Sequence, residues 1–119
     1  YSYQVYVDHA IEYIQHNYYR GIHVSDIAAY IGVARTYLTD CFAKSLHISP
    51  QQYLSQFRME RAKDLLKTTK KSIAAIASEV GYEDAFAFSR AFRNICAISP
   101  TEYRATTESI IESEIVPIH

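Results

Sequence analysis

Three groups of side chains in this 119-residue chain could do chemistry. His9, Glu12 and His16 step by three and four, so a helix would carry two imidazoles and a carboxylate near one face, a set that could ligate a metal ion. No other ligand cluster accompanies them, and a solvated polar face is the better expectation; no metal site is assigned. Cys41 and Cys96 are the only thiols, and neither lies in a CxxC or a His/Cys ligand spacing. Buried free cysteines in a reducing, intracellular compartment are expected, not a zinc finger or a nucleophile. No Gly-rich phosphate loop or Ser/His/Asp pattern appears, so no catalytic residue is assigned and the chain is not expected to be an enzyme. The third group is cationic: Arg35, Lys44, Arg90 and Arg93. Any one of them alone is an ordinary surface charge. Together they occupy two segments that repeat one another, which points to a surface that meets a polyanion.

The elements that would position these cations are duplicated. Ile27-Ala28-x-x-Ile31-Gly32 returns as Ile76-Ala77-x-x-Val80-Gly81, and Phe42…Ser49-Pro50-x-x-Tyr53 returns as Phe92…Ser99-Pro100-x-x-Tyr103. Equivalent residues lie 49 apart up to the glycines and 50 apart after them, so the second copy has one extra residue just past Gly81. An insertion there falls in a turn, where the chain tolerates it. Each copy reads as a short apolar helix, a Gly-containing turn and a second helix, the layout of a helix-turn-helix unit.

Composition agrees with an all-α fold. Gly and Pro number three each, 49% of residues are hydrophobic, and no window shows the period-2 alternation of a half-buried strand. No apolar run approaches the ~18 residues of a membrane span and no basic-then-apolar segment opens the chain, so a soluble, cytoplasmic protein without a membrane partner is expected. With Tyr1 and not Met as first residue, an excised fragment of a longer protein is expected. The net charge of −1 would not by itself suggest nucleic acid. Its distribution does allow a basic face, because three acidic residues and no basic ones fall in 106–119, leaving the remainder slightly positive.

Along the chain, Val7, Ala10, Ile11, Ile14 and Tyr18 give a scaffold helix over about 7–19, with residues 1–6 read as a residual linker. The next helix starts near His23, helped by Asp26, and stops at Gly32; its repeat starts at Ser72, a better cap. A helix from about Arg35 to Leu46 turns Leu38, Cys41 and Phe42 inward, and one from Asp84 to about Ile95 turns Phe88, Ala91 and Phe92 inward. Asp84 can cap its helix; Ala34 cannot. Ser49-Pro50 and Ser99-Pro100 each place an N-cap before a first-turn proline. The first begins a helix over about 50–67 that joins the two copies, a rod of roughly 25 Å. The second begins a helix expected to fade past Thr107 into an acidic tail over 108–119. The expected subdomains are therefore 7–49 and 68–107.

With those residues placed, the chain resembles the C-terminal DNA-binding domain of the AraC/XylS family of bacterial transcription regulators. The first copy carries the resemblance in Ile27-Ala28-Ala29-Tyr30-Ile31-Gly32-Val33, Tyr37-Leu38…Phe42 and Ile48-Ser49-Pro50-x-x-Tyr53-Leu54, followed by Arg58-Met59-Glu60-Arg61-Ala62-Lys63-Asp64-Leu65-Leu66. The second copy matches nearly end to end, from Ile73-Ala74-Ala75-Ile76-Ala77-Ser78-Glu79-Val80-Gly81-Tyr82-Glu83-Asp84 through Phe88-Ser89-Arg90-Ala91-Phe92-Arg93 to Ile98-Ser99-Pro100-x-x-Tyr103-Arg104.

The resemblance implies about seven helices in two homeodomain-like helix-turn-helix subdomains joined by a long linker helix. It implies that the third and sixth helices enter successive major-groove segments of double-stranded promoter DNA, which recur every ~34–36 Å. Carried over by position, the base-facing residues are Arg35, Thr36, Thr39 and Asp40 with Lys44 in the first unit, and Ala85, Phe86, Ser89 and Arg90 with Arg93 nearer the backbone in the second. Asp40, Ala85 and Phe86 depart from the polar or basic groups common at these places: a carboxylate can accept from a cytosine amino group, and apolar groups can meet thymine methyls. RNA polymerase is the implied protein partner. Dimerisation and small-molecule sensing belong to a missing N-terminal domain, and no cofactor is implied for this fragment.

Overall fold

A computed structural model describes residues 2–115, with side chains through Glu108. Its described residues form seven α-helices and no strand: α1 Tyr3–Asn17, α2 Val24–Ile31, α3 Arg35–Leu46, α4 Pro50–Thr68, α5 Ile73–Glu79, α6 Ala85–Cys96 and α7 Pro100–Ile115. The all-helical class and the helix-turn-helix layout follow the repeat. Two units divide between Arg58 and Met59, inside α4. In the first, α1 packs on α2 and α3, and Val7, Ala10, Ile14, Ile27, Leu38, Phe42 and Leu54 close the core. In the second, α6 packs on α5 and α7, and Met59, Ala62, Leu66, Ile76, Val80, Phe88 and Phe92 close the core.

The duplication extends to side-chain geometry. Phe42 meets Tyr53 with ring centroids 6.0 Å apart at 66°, and Phe92 meets Tyr103 at 5.7 Å and 66°. Edge-to-face contact of this kind joins each second helix to the helix after it. Burial also pushes the Tyr53 phenol above its ordinary range. Both turns close alike: Gly32 and Gly81 take φ of 85° and 97°, and the residue after each donates its N–H back to the preceding helix, Val33 to Ala28 at 3.1 Å and Tyr82 to Ala77 at 2.9 Å. A positive φ is what glycine accepts without a Cβ clash.

The caps differ as the sequence requires. Ser72 Oγ accepts from the Ala75 N–H at 3.1 Å, and Asp84 Oδ1 from the Ala87 N–H at 2.7 Å, whereas Ala34 offers α3 no side-chain cap. The residue inserted after Gly81 thus lengthens the turn that delivers Asp84. Asp26 helps α2 by accepting the His23 N–H at 2.7 Å. Ser49 and Gln52 satisfy each other's backbone N–H groups at 3.1 and 2.8 Å, a reciprocal cap on α4. Replacing Asp84 by Ala should lower stability by about 1 kcal/mol, and Ala34→Ser should gain a similar amount for α3. Urea midpoints of the two variants against the parent measure both.

Two helix limits differ from the sequence reading. α1 starts at Tyr3, not near Val7, so residues 3–6 are helix and not linker; Gln4 Nε2 donates to Asp8 at 2.9 Å, and Ser45 on α3 donates to Gln4 Oε1 at 2.7 Å. Tertiary contact from α3 fixes a turn that lacks a clean apolar period of its own. α7 runs to Ile115 and does not fade past Thr107, because no Gly or Pro interrupts it before Pro117. The stretch 116–119 of the expected tail lies outside the described residues.

Candidate nucleic-acid interface

On α6, Phe86, Ser89, Arg90 and Arg93 stand at i, i+3, i+4 and i+7, the spacing of one stripe along a helix, opposite the buried Phe88 and Phe92. Phe86, Arg90 and Arg93 are exposed, while Ser89 and Ala85 are half-buried. On α3 the same register gives Thr36, Thr39 and Asp40, opposite the buried Leu38, Cys41 and Phe42, with Arg35 at the helix start and Lys44 one turn on. All five are exposed. Each unit therefore turns its expected reading residues, Ala85 and Ser89 only in part, to the solvent side of the helix that follows the glycine turn.

The stripes differ in charge and in how free their groups are. Among the described residues Arg35, Asp40, Lys44 and Arg90 have no ion-pair or hydrogen-bond partner on their side chains, so each can turn wholly to a ligand. The Thr39 hydroxyl donates to the Arg35 carbonyl at 3.0 Å, which fixes its rotamer and presents its oxygen as an acceptor. Arg93 is engaged: its guanidinium lies 3.4 Å from Glu102 on α7. An exposed pair of this kind holds only ~0–1 kcal/mol, so a phosphate can displace the carboxylate. Sequence reasoning missed the pairing, although the signal was present. Glu102 occupies the place of Gln52, which in the first copy turns back onto its own helix start.

Other cations are committed to structure. Arg58 is only 7% exposed and donates from Nε to the Tyr18 carbonyl at 3.0 Å and from Nη2 to those of Arg20 and Ile22 at 3.0 and 3.3 Å. Arg104 does the same in the second unit, reaching the Leu66 and Thr69 carbonyls, both at 3.2 Å. Each guanidinium satisfies carbonyls in the last turn of a helix or just beyond it. Arg61 pairs with Asp64 at 3.5 Å, and Lys71 pairs with Glu79.

The two other chemistries find little support. His16 Nδ1–H donates to the Glu12 carbonyl at 2.8 Å, and no group of three metal-ligating side chains is brought together among the described residues. Partial burial pushes the Cys96 thiol up, Lys63 pulling it down and Glu60 pushing it further up. A raised thiol has a smaller thiolate fraction, and the thiolate is the nucleophile. No described helix is long and apolar enough to cross a membrane.

Comparison with known proteins extends this picture. A family model described as a helix-turn-helix domain matches residues 27–106. The raffinose operon transcriptional regulatory protein of Pediococcus pentosaceus is 40% identical over 95 residues, covering 80% of this chain and 34% of that protein. The C-terminal domain of AraT, a response regulator from Geobacillus stearothermophilus, superposes with a TM-score of 0.82 at 34% identity, covering 85% of this chain and 84% of that one. A Chromobacterium violaceum transcriptional regulator with an AraC-type DNA-binding domain gives 0.78 at 34% identity, covering 87% and 93%. The chain spans about a third of the length of the raffinose, msm and lactose operon regulators it matches.

Proposed function

Because the chain belongs to the AraC/XylS family of helix-turn-helix regulators, we propose that it is the part of a transcription regulator that recognises a promoter sequence, with α3 and α6 each entering the major groove. The observation that carries this reading is the pair of register-matched stripes, Thr36/Thr39/Asp40 and Phe86/Ser89/Arg90, each solvent-facing on a helix clamped from behind by its own core. A helix held this way offers side chains to base edges with little ordering cost. Arg35, Lys44 and Arg93 at the margins supply phosphate contacts, and Arg90 makes a bidentate contact to guanine. Asp40 accepts from an exocyclic amino group and cannot serve a phosphate. Ala85, half-buried beside Phe86, allows close approach of the helix start.

The rest of the full-length protein would dimerise and sense a small molecule, and the DNA-bound regulator would contact RNA polymerase. This part needs no metal or cofactor to bind, and it acts in the bacterial cytoplasm.

Selection of a random duplex pool with this chain tests the reading: two short enriched motifs are expected. Absence of enrichment at moderate salt would favour a helical protein-interaction module instead. On the selected site, Arg90→Ala should lose ~1–3 kcal/mol of discrimination at one base pair. Lys44→Ala should weaken all sequences alike and reduce the salt slope by about 1. Binding isotherms on matched and mismatched duplexes across a salt series separate the two effects.

A further inference from the structure

Phe86 is 83% exposed, more than any other large hydrophobic among the described residues, and the next, Tyr30 and Tyr19 at 70% and 53%, carry hydroxyls that water can solvate. A scattered apolar surface residue needs no explanation. This one stands on the reading stripe, in the first turn of α6, directly in register with Thr36 of α3. Its chain neighbours are Ala85 and the exposed Ala87, and its neighbours along the stripe are Ser89 and Arg90. Its backbone is fixed by the Asp84 cap below it, whose carboxylate holds the Ala87 N–H at 2.7 Å. The ring is thus held outward on a short, rigid mount, with no core contact that requires it.

From this placement, and resting on the DNA reading above, we infer that Phe86 selects thymine: its ring packs on the C5-methyl group in the major groove of the second half-site. That methyl is the one apolar feature on any base edge in that groove. A phenylalanine offers no hydrogen bond, so it cannot distinguish bases by donor and acceptor pattern; it rewards the methyl alone. Arg90 stands one turn further along the same stripe, about 6 Å along the helix axis. Base pairs rise ~3.4 Å each, so the thymine lies within two base pairs of the guanine that Arg90 contacts. In α3 the equivalent positions hold Thr36, whose single methyl sits beside a hydroxyl, and Asp40, so the stronger thymine preference belongs to the second half-site.

The test starts from the enriched duplexes and replaces each thymine of the two motifs in turn by deoxyuridine, which removes only the methyl. The parent chain should lose most, about fourfold, the effect of one buried carbon, at a single thymine within two base pairs of the guanine whose replacement Arg90→Ala tolerates. Phe86→Ala should bind thymine and uracil duplexes equally at that position. Phe86→Leu should restore part of the difference. Circular dichroism melts should be unchanged in both variants, because the ring is exposed. Selection with no enriched motif would defeat the DNA reading itself. Enriched motifs without any uracil effect in the parent would overturn the assignment alone, as would a uracil effect that persists in Phe86→Ala.

Discussion

Phe92→Ala should strip the second unit of fixed packing while leaving the first unit folded. The Phe92 side chain is fully buried, 5.8 Å from the Phe88 ring and 5.7 Å from that of Tyr103. Truncating a buried phenylalanine costs ~3–5 kcal/mol. A unit of about 60 residues rarely has more than ~3–5 kcal/mol to lose. The first core shares no buried residue with the second, so Leu38, Phe42 and Ile27 keep their neighbours. Amide exchange resolved by residue should show α5 and α6 opening to the solvent limit while α2 and α3 keep their protection. Phe42→Ala should give the mirror result. Equal loss of protection in both units from either substitution would show that α4 couples them into one cooperative body.

Arg58→Met should lower the stability of the first unit by about 2–4 kcal/mol. The methionine keeps much of the apolar stem, so the effect isolates the guanidinium. That group meets three carbonyls between α1 and α2, and its removal leaves them short of donors where one of the hydrogen bonds is buried. Arg58→Lys should recover only a fraction, because an ammonium at one point cannot reproduce the fork of Nε and Nη2. Urea unfolding followed through Tyr18 and Phe57, whose rings are 5.2 Å apart, reports on this region. An unchanged midpoint in Arg58→Met would show that water replaces the guanidinium without loss.

Arg58 and Arg93 also mark where local sequence stops being informative. The helix-turn-helix layout was legible because its determinants are close in sequence: Gly32 and Gly81 at the left-handed turns, Ser72 and Asp84 at the caps, and apolar residues at three and four spacing. Each acts within about one helical turn, so residue type and spacing suffice. The start of α1 was not legible, since Gln4 is held by Ser45 on another helix. Nor was the division of labour among the arginines. Arg58, Arg90, Arg93 and Arg104 are alike in a sequence, yet one is buried on carbonyls, one is free, one is paired with Glu102 and one closes a helix end.

The sequence by itself determined the duplicated scaffold, its family, its caps and which helix faces are apolar, because periodicity and backbone preference are properties of neighbours in the chain. Only the tertiary structure decided which cations remain available to a ligand. A guanidinium goes where acceptors are unsatisfied, and the carbonyls that claim Arg58 come from residues 36 to 40 positions away, brought within reach by packing. Packing within the second unit occupies Arg104 and leaves Phe86 and Arg90 facing outward on α6, the groups proposed above to meet DNA.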